Sequence, residues 1–313
     1  MVFAAETPLP TRAFGRHSDR VSIIGLGGGH VSRSAVNTND AVRIIQTAVD
    51  AGVTFLDNAW DYGMGEAERR YGVALQGRRD RVFLMTKVCA RDKVTALSQL
   101  DESLSRLRVD YVDLWQFHEI NYDNDPDWIF EPGGAIEAAI AAKAAGKVRY
   151  VGFTGHKSPH ILRRMLDMGY EWDSCQMPIN VFDSLYRSFE HGMLPELNAR
   201  GIACLGMKSL GGEGQFVTEA GLTASDCRRY ALSQPITTLI CGITSTENLE
   251  QDLAIARTFV PMSTAEQDAL RERVRRPATD GRFEWFKAST YFDHIYHRDQ
   301  HQFPAHAETR NRS

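Results

Sequence analysis

Eight short apolar runs, each followed by a segment with helical periodicity, recur through most of this 313-residue chain. The runs are rich in β-branched and aromatic residues and are too short to be buried helices, so each predicts a strand. They are VSIIGLG from Val21, TFLDNA from Thr54, VFLMTKV from Val82, YVDLWQFH from Tyr111, YVGFTG from Tyr150, SCQMPIN from Ser174, IACLGMK from Ile202 and TTLICGI from Thr237. Eight even strand–helix units predict an α/β fold, a (β/α)8 TIM barrel, rather than a doubly wound sheet.

Segments at both ends extend this barrel, which is predicted to occupy about residues 20–260 of a single domain spanning 1–313. The preceding segment, TRAFGRHSDR, predicts a short hairpin that closes the barrel floor. After Phe259 the sequence STAEQDALRERVRRP predicts a helix packed outside the barrel, within an extension of about residues 261–313. The tail from Asp280 is rich in aromatic residues and histidine.

Composition limits the class of partner. With 43% hydrophobic and 24% charged residues the chain is typical of a globular protein, and a net charge of -4 without a long basic run disfavours nucleic acid and anionic membranes. The five cysteines form no CxxC pair, which indicates reduced thiols. No apolar leader and no run of about 18 apolar residues is present, so a cytoplasmic location is expected.

Four polar residues follow three consecutive predicted strands at their carboxyl ends. They are Asp57, Tyr62, Lys87 and His118. Active sites of such barrels lie at this end of the strands, so we expect the four side chains to converge at one mouth. A phenol with a pKa about 3 units above neutral pays roughly 4 kcal/mol to ionise, and a cation such as Lys87 would lower that cost. Asp57 would orient Lys87, and His118 would donate to a substrate oxygen.

These residues resemble the catalytic tetrad of the aldo-keto reductases. The resemblance continues through GKVRYVGFTGH, CQMPIN, GMKSLGGEG and ICGITSTENLEQDL, and it covers the chain from about Arg12 to Phe259. It implies an oxidoreductase that transfers hydride between a nicotinamide dinucleotide and an aldehyde, ketone, alcohol or sugar, with Tyr62 as general acid or base. The chain is most similar to a divergent bacterial-type branch, and it lacks the C-terminal cysteines that hold an iron–sulfur cluster in some relatives.

The resemblance also implies where a dinucleotide would bind. The chain has GLGGGH after its first strand instead of GxGxxG, which disfavours a Rossmann domain. Thr154 and Gln176 would hold the carboxamide, the SLGGEG loop the pyrophosphate, and the segment GITSTENLEQDL the adenosine. The full set of expected cofactor residues is Gly28, Thr154, Gln176, Met207, Lys208, Leu210, Gly211, Gly212, Gly242, Thr244, Ser245, Asn248, Gln251 and Asp252.

Several of these positions depart from the family pattern. Gly242 and Asn248 stand where many members have the lysine and arginine that recognise the extra phosphate of NADP. Met207 replaces the aromatic ring on which the nicotinamide usually stacks, and Gly155 replaces an asparagine. Hydroxyls and a helix amino terminus favour NADP(H), and NAD(H) stays open.

Loops around the mouth are expected to select the substrate. The candidates are His30, Trp60, Tyr122 and Trp128, although an aromatic rim packed on the barrel explains the same residues. No metal site is predicted, because His294, His297 and His301 in the tail lack an accompanying carboxylate or cysteine arrangement. Two other functions stay open: a redox sensor that retains a dinucleotide, and, less favoured, a metal-dependent barrel hydrolase or isomerase. The oligomeric state is undetermined.

Overall fold

Eight parallel strands close into a barrel in a computed structural model that describes residues 7–212, 214–278 and 281–287. A two-stranded antiparallel hairpin precedes it, formed by β1 (Thr11–Ala13) and β2 (Arg20–Ser22). The barrel strands are β3 (Ile24–Gly27), β4 (Phe55–Asp57), β5 (Phe83–Val88), β6 (Val112–Phe117), β7 (Val148–Thr154), β8 (Ser174–Pro178), β9 (Ala203–Met207) and β10 (Thr238–Gly242). They pair in chain order, and β10 pairs with β3. The predicted (β/α)8 barrel with an N-terminal hairpin is therefore confirmed.

Helices connect successive strands on the outside of the barrel. Those described are α1 (Gly28–Val31), α2 (Thr38–Asp50), α3 (Glu66–Ala74), α4 (Lys93–Leu107), α5 (Asp125–Phe130), α6 (Ala135–Ala144), α7 (Pro159–Asp167), α8 (Phe189–Gly192), α9 (Leu194–Ala199), α10 (Gln215–Glu219), α11 (Ala224–Ser233), α12 (Thr246–Arg257) and α13 (Thr264–Ala278). Polar side chains begin several of them: Asn37 accepts from the Asp40 amide, and Asp92 from that of Thr95. Within the described ranges, none of these helices has the length and apolar character needed to cross a bilayer.

The hairpin closes the floor of the barrel with an aromatic side chain. Phe14 is fully buried, and its ring lies 4.7 Å from that of Phe83 and 5.2 Å from that of Tyr150. The first predicted strand, from Val21, is divided, because Ser22 still pairs with β1 whereas Ile24 pairs with β10. The hairpin therefore leads directly into the barrel.

The chain beyond the barrel packs back onto it. Leu270 and Val274 of α13 are buried in a cluster with Phe182, so the helix predicted after Phe259 lies outside the barrel as expected. In the segment 281–287, the buried Lys287 ammonium donates to Asp183 Oδ1 at 2.6 Å. This contact fixes the segment to the loop after β8. Residues 288–313, with His294, His297 and His301, lie outside the described part of the chain.

A glycine sets the close approach of α3 to α4. A Cβ atom added at Gly72 would lie 2.3 Å from the carbonyl oxygen of Arg106 and 2.9 Å from the carbonyl carbon of Leu107. Both atoms belong to the backbone and cannot rotate away. The same helix α3 carries Glu68, which accepts a hydrogen bond from Thr86 in β5 at 2.5 Å. The contact at Gly72 thus supports the strand that holds Lys87.

Replacing Gly72 by Ala is expected to lower the free energy of unfolding by about 2 kcal/mol, because α3 must move away from α4. Urea unfolding followed by circular dichroism measures this. Val73→Ala, at an exposed position of the same helix, is the control and should change stability by less than about 0.5 kcal/mol. Equal stability of Gly72→Ala and the wild type would contradict the close contact.

Candidate active site

The four residues predicted for catalysis meet at the carboxyl ends of β4, β5 and β6. Asp57 ends β4, Tyr62 follows in the next loop, Lys87 lies in β5, and His118 directly follows β6. The Lys87 ammonium donates to an Asp57 carboxylate oxygen, to the carbonyl oxygen of Asn58 at 2.8 Å and to the hydroxyl of Tyr62 at 3.2 Å. Two neighbouring strands, β4 and β5, therefore place a phenol, an ammonium and a carboxylate in one hydrogen-bonded group.

This group is removed from solvent, since Lys87 is 1% and Asp57 is 2% exposed. Burial raises the pKa of the Tyr62 phenol well above its ordinary value, and the charges of Asp57, Asp61 and Glu119 raise it further. Burial is the largest cause of this raised pKa, ahead of the neighbouring carboxylates. The expectation that Lys87 eases ionisation of Tyr62 stays a prediction. The phenol is held in its protonated form.

His118 is oriented by a second carboxylate. Its ring lies edge-on to the Tyr62 ring at a centroid distance of 5.5 Å, and its Nδ1 lies 3.0 Å from Asp61 Oδ1. The thiol of Cys89 lies 3.8 Å from the same nitrogen. Asp61 and the His118 imidazole therefore form a close polar pair beside the Tyr62 ring.

A cavity of about 420 Å³, here called the mouth cavity, opens beside these residues. Asp57, Tyr62, Gln176 and Met207 line one end of it. Gln176 donates through Nε2 to Asp57 Oδ2 at 3.0 Å, and its buried Oε1 has no hydrogen-bond partner among the described residues. Thr154 is its register partner on β7. An unsatisfied buried acceptor beside the reactive phenol fits the amide group of a nicotinamide carboxamide.

The loop after β9 forms the adjacent wall. Lys208 has a left-handed backbone with φ 57°, and Leu210 and Gly212 line the mouth cavity. The Lys208 carbonyl accepts from Asn180 Nδ2 at 3.3 Å, which ties the loop to the end of β8. Gly211 does not line the cavity. A Cβ atom there would lie 1.6 Å from the Phe216 ring, so its glycine is explained by packing.

An adjoining cavity of about 210 Å³, here called the outer end, shares His30, Arg33, Arg228 and Gly242 with the mouth cavity and extends to the helix after β10. Those of the helix and its approach that line it are Thr244, Asn248, Gln251 and Asp252. Ser245 caps α12, where its hydroxyl accepts from the Asn248 amide at 3.3 Å. The outer end therefore brings together most of the residues expected to hold adenosine.

The remaining predicted residues do not line the cavity. Gly28 packs on β4, since a Cβ atom there would lie 2.6 Å from Asn58 Oδ1. Trp60 donates from Nε1 to Glu102 Oε2 at 2.9 Å on the outer rim. The Lys157 ammonium lies over the Tyr122 ring, and Trp128 lies in α5. Packing of aromatic residues on the barrel rim therefore explains both positions. Their roles toward a ligand stay predictions.

Five charged or aromatic cavity residues were not predicted. They are Arg33, Asp61, Glu119, Arg228 and Trp285. Asp61 and Glu119 are sequence neighbours of Tyr62 and His118, and that adjacency is a signal that could have found them. Nothing in the sequence around the other three indicates that they face the mouth.

Beside the cavity a buried histidine contacts Glu119. His156 Nε2 lies 3.2 Å from Glu119 Oε1, and the ring lies edge-on to Phe286 at 5.9 Å. Burial lowers the pKa of His156 to about 4, against the opposing effect of Glu119. At neutral pH the ring is therefore uncharged.

This lowered pKa predicts a pH-dependent stability. The unfolded chain binds a proton at His156 below about pH 6.5 and the folded chain only near pH 4, so stability is lost as the pH falls through this interval, by up to about 3 kcal/mol. Unfolding free energies at pH 7 and pH 4.5 would be measured for the wild type and for His156→Gln. The wild type should lose more between the two pH values. An identical loss in both proteins would refute the assignment.

Comparison with known proteins gives a consistent set of similarities. The model of the family described as "Aldo/keto reductase family" matches residues 23–226. The 6-dehydroglucose reductase of Novosphingobium aromaticivorans is 28% identical over 226 residues, which cover 66% of this chain and 72% of that protein. The L-galactose dehydrogenase of Arabidopsis thaliana is 32% identical over 161 residues, covering 48% of this chain and 49% of that protein.

Solved structures show the same fold. The holo form of aldo-keto reductase AKR11C1 from Bacillus halodurans superposes with a TM-score of 0.72 at 22% identity, covering 85% of this chain and 96% of that one. The thermostable aldo-keto reductase Tm1743 gives a TM-score of 0.68 at 21% identity, covering 85% of this chain and all of that one. At this identity the likeness concerns the architecture of the barrel.

Proposed function

The chain belongs to the aldo/keto reductase family, a family of oxidoreductases that use nicotinamide dinucleotides, and from this premise we propose that it reduces a carbonyl group with Tyr62 as the proton donor. The observation that carries the proposal is the buried contact of Lys87 with both Asp57 and Tyr62. A lysine that served stability alone could be paired by Asp57 without a phenol beside it. Here the ammonium stabilises the tyrosinate that remains once the proton has left.

Each residue of the site has a separate task in this proposal. When bound, the dihydronicotinamide supplies the hydride. Tyr62, protonated because of burial and its acidic neighbours, gives its proton to the carbonyl oxygen as negative charge develops there. His118, whose Nδ1 lies beside Asp61, offers the carbonyl oxygen a second hydrogen-bond donor. In the direction of alcohol oxidation Tyr62 is the base.

The cavity supports a nicotinamide at the catalytic end. The unsatisfied Oε1 of Gln176, with Thr154 beside it, would receive the carboxamide, and Met207 would pack on the ring. The loop from Lys208 to Gly212 would lie along the pyrophosphate. NADP(H) is the favoured dinucleotide and NAD(H) the alternative.

The substrate proposed is an aldehyde, a ketone or a sugar. Two relatives are named as a 6-dehydroglucose reductase and an L-galactose dehydrogenase. Carboxylates of Asp61 and Glu119 line the cavity next to the Tyr62 phenol, and Trp285 offers an aromatic face. Hydroxyl groups of a sugar donate to carboxylates, and sugar rings pack on aromatic faces, so these residues fit a polyhydroxylated substrate.

Tyr62→Phe removes the proton donor without changing the size of the pocket. Carbonyl reduction should fall by at least about 100-fold, because general acid catalysis is lost. Dinucleotide affinity should change little, since Tyr62 does not hold the cofactor. Reduction of glyceraldehyde followed by loss of NADPH absorbance, and fluorescence titration with NADPH, measure the two quantities. A fully active variant would refute Tyr62 as the donor.

Lys87→Met removes the cation beside the phenol, and Lys87→Arg keeps a cation there. The Tyr62 pKa should rise further in Lys87→Met, because Asp57, Asp61 and Glu119 then act without opposition. Any surviving alcohol oxidation should begin at a higher pH than in the wild type, with Lys87→Arg lying between them. The pH profile of kcat/KM measures this. A profile that does not move would show that Lys87 does not tune Tyr62.

A further inference from the structure

Three side chains that can each ligate a metal ion meet in the wall of the mouth cavity. His118 Nδ1 lies 3.0 Å from Asp61 Oδ1 and 3.8 Å from Cys89 Sγ. The Cys89 thiol also forms a hydrogen bond with Asp61. One ligand atom from each residue lies within 4.8 Å of the other two. An imidazole, a thiol and a carboxylate therefore face one another in a closed triangle.

The spacing of these atoms matches the geometry of a zinc site. Zinc binds nitrogen and oxygen at about 2.0 Å and sulfur at about 2.3 Å, almost always with tetrahedral angles. Two ligand atoms of one zinc ion are then about 3.3 to 3.6 Å apart. The distances of 3.0 Å and 3.8 Å from His118 Nδ1 lie close to this range. Small rotations of the side chains would bring all three atoms onto one ion.

The chemistry of the three ligands favours zinc over other cations. Sulfur and imidazole nitrogen suit a borderline ion such as Zn²⁺, whereas Mg²⁺ and Ca²⁺ prefer oxygen. A thiolate and a carboxylate together balance the two positive charges of the ion, which offsets the cost of placing a charge in a buried wall. With three protein ligands, the fourth position of the ion stays open to water.

A buried arginine fixes the backbone of the two deeper ligands. Arg91 is 2% exposed, and it donates from Nη1 to the carbonyl oxygen of Cys89 at 2.9 Å and from Nη2 to that of His118 at 2.7 Å. Its Nε donates to Asp125 Oδ1 at 2.6 Å, which balances its charge. One side chain thus holds the ends of β5 and β6 together. Ligands that are held in place before binding lose little freedom when the ion arrives.

Access to the three ligands is from the mouth cavity. Asp61 lines this cavity next to Tyr62, whereas Cys89 is fully buried and His118 is 4% exposed. The open position of a bound ion, with its water, would therefore face the cavity. The rings of Tyr62 and His118 are 5.5 Å apart. The ion and its water would thus lie where a carbonyl group must approach the Tyr62 hydroxyl.

We propose that Asp61, Cys89 and His118 bind one Zn²⁺ ion, and that the bound ion competes with the carbonyl substrate for the space beside Tyr62. Binding breaks the S–H bond of Cys89 and forms a Zn–S bond, and the proton passes to solvent without any transfer of electrons. No short motif indicates this site, because its members follow three different strands. The competition rests on the proposed function, whereas binding of the ion does not.

Binding is tested by absorption spectroscopy of the metal-free full chain during titration with Co²⁺, a coloured ion that replaces zinc in tetrahedral sites. A cobalt–thiolate bond gives a charge-transfer band in the near ultraviolet. The band therefore reports a cysteine ligand and not the histidines of the tail, which are His294, His297 and His301. We expect this band in the wild type, and we expect Zn²⁺ to abolish it by displacing Co²⁺.

Cys89→Ala removes the sulfur ligand. It should abolish the thiolate band and weaken Zn²⁺ binding at least about tenfold. Cys175→Ala is the matched control, since Cys175 is also fully buried and pairs in register with Cys204 on the far side of the barrel ring. It should change neither quantity. Asp61→Asn keeps the thiol and the size of the side chain, so it should keep the band with weaker affinity. A thermal melt of each metal-free variant confirms that it is folded.

Steady-state kinetics test the competition. In a buffer with a thiol-free reductant, Zn²⁺ should raise the KM of the wild type for glyceraldehyde and leave kcat unchanged, and a chelator should reverse the effect. The ratio of the KM values with and without Zn²⁺ is compared among the variants. This ratio should fall toward unity in Cys89→Ala and should stay at the wild-type value in Cys175→Ala.

The outcomes separate the zinc site from the reductase proposal. A cobalt spectrum without the thiolate band, or the same band in Cys89→Ala, would overturn the site. A KM for glyceraldehyde that does not respond to Zn²⁺ would overturn the competition. If the folded, metal-free chain reduces no carbonyl compound with either dinucleotide, the reductase proposal fails, and the cobalt spectrum still decides whether Asp61, Cys89 and His118 bind the ion.

Discussion

The buried ammonium group of Lys87 determines how the residues at the mouth of this barrel are arranged. Lys87 is almost inaccessible to water, and an unpaired charge there would cost several kcal/mol. Asp57, the Asn58 carbonyl and the Tyr62 hydroxyl satisfy its three donors. Because these partners come from β4 and its following loop while Lys87 comes from β5, the registration of the two strands determines the chemistry. The position of the Tyr62 hydroxyl thus follows from the need to give the buried Lys87 ammonium a third acceptor.

The balance of charge around Tyr62 determines its role. Burial raises the pKa of the phenol most, and the charges of Asp57, Asp61 and Glu119 raise it further, so the proton stays on the phenol. A protonated group is the form that reduction consumes. Lys87, which donates to the Tyr62 hydroxyl, is proposed to ease the loss of this proton. Asp61 and Glu119, the sequence neighbours of Tyr62 and His118, act on the phenol in the opposite direction.

The sequence predicts the fold well because alternation of short apolar runs and amphipathic helices has few other solutions. The tetrad is predicted for the same reason, since the strand ends of a parallel barrel must meet. Contacts made by long side chains are different. His30 lies in the first connection and Gly242 in the last strand, and only the pairing of β3 with β10 brings them together. Periodicity cannot show where an arginine such as Arg228 points, because a helix of the same pattern packs equally well with that side chain toward solvent.

Closure of the barrel by β3 and β10 links cofactor binding to the stability of the fold. The outer end is assembled from both sides of this junction, with His30 on one side and Gly242 on the other. In the proposed complex the dinucleotide contacts residues on both sides of this junction. A ligand that binds the folded chain and not the unfolded chain adds to its stability, so the dinucleotide would hold the closed ring together as well as serve the reaction.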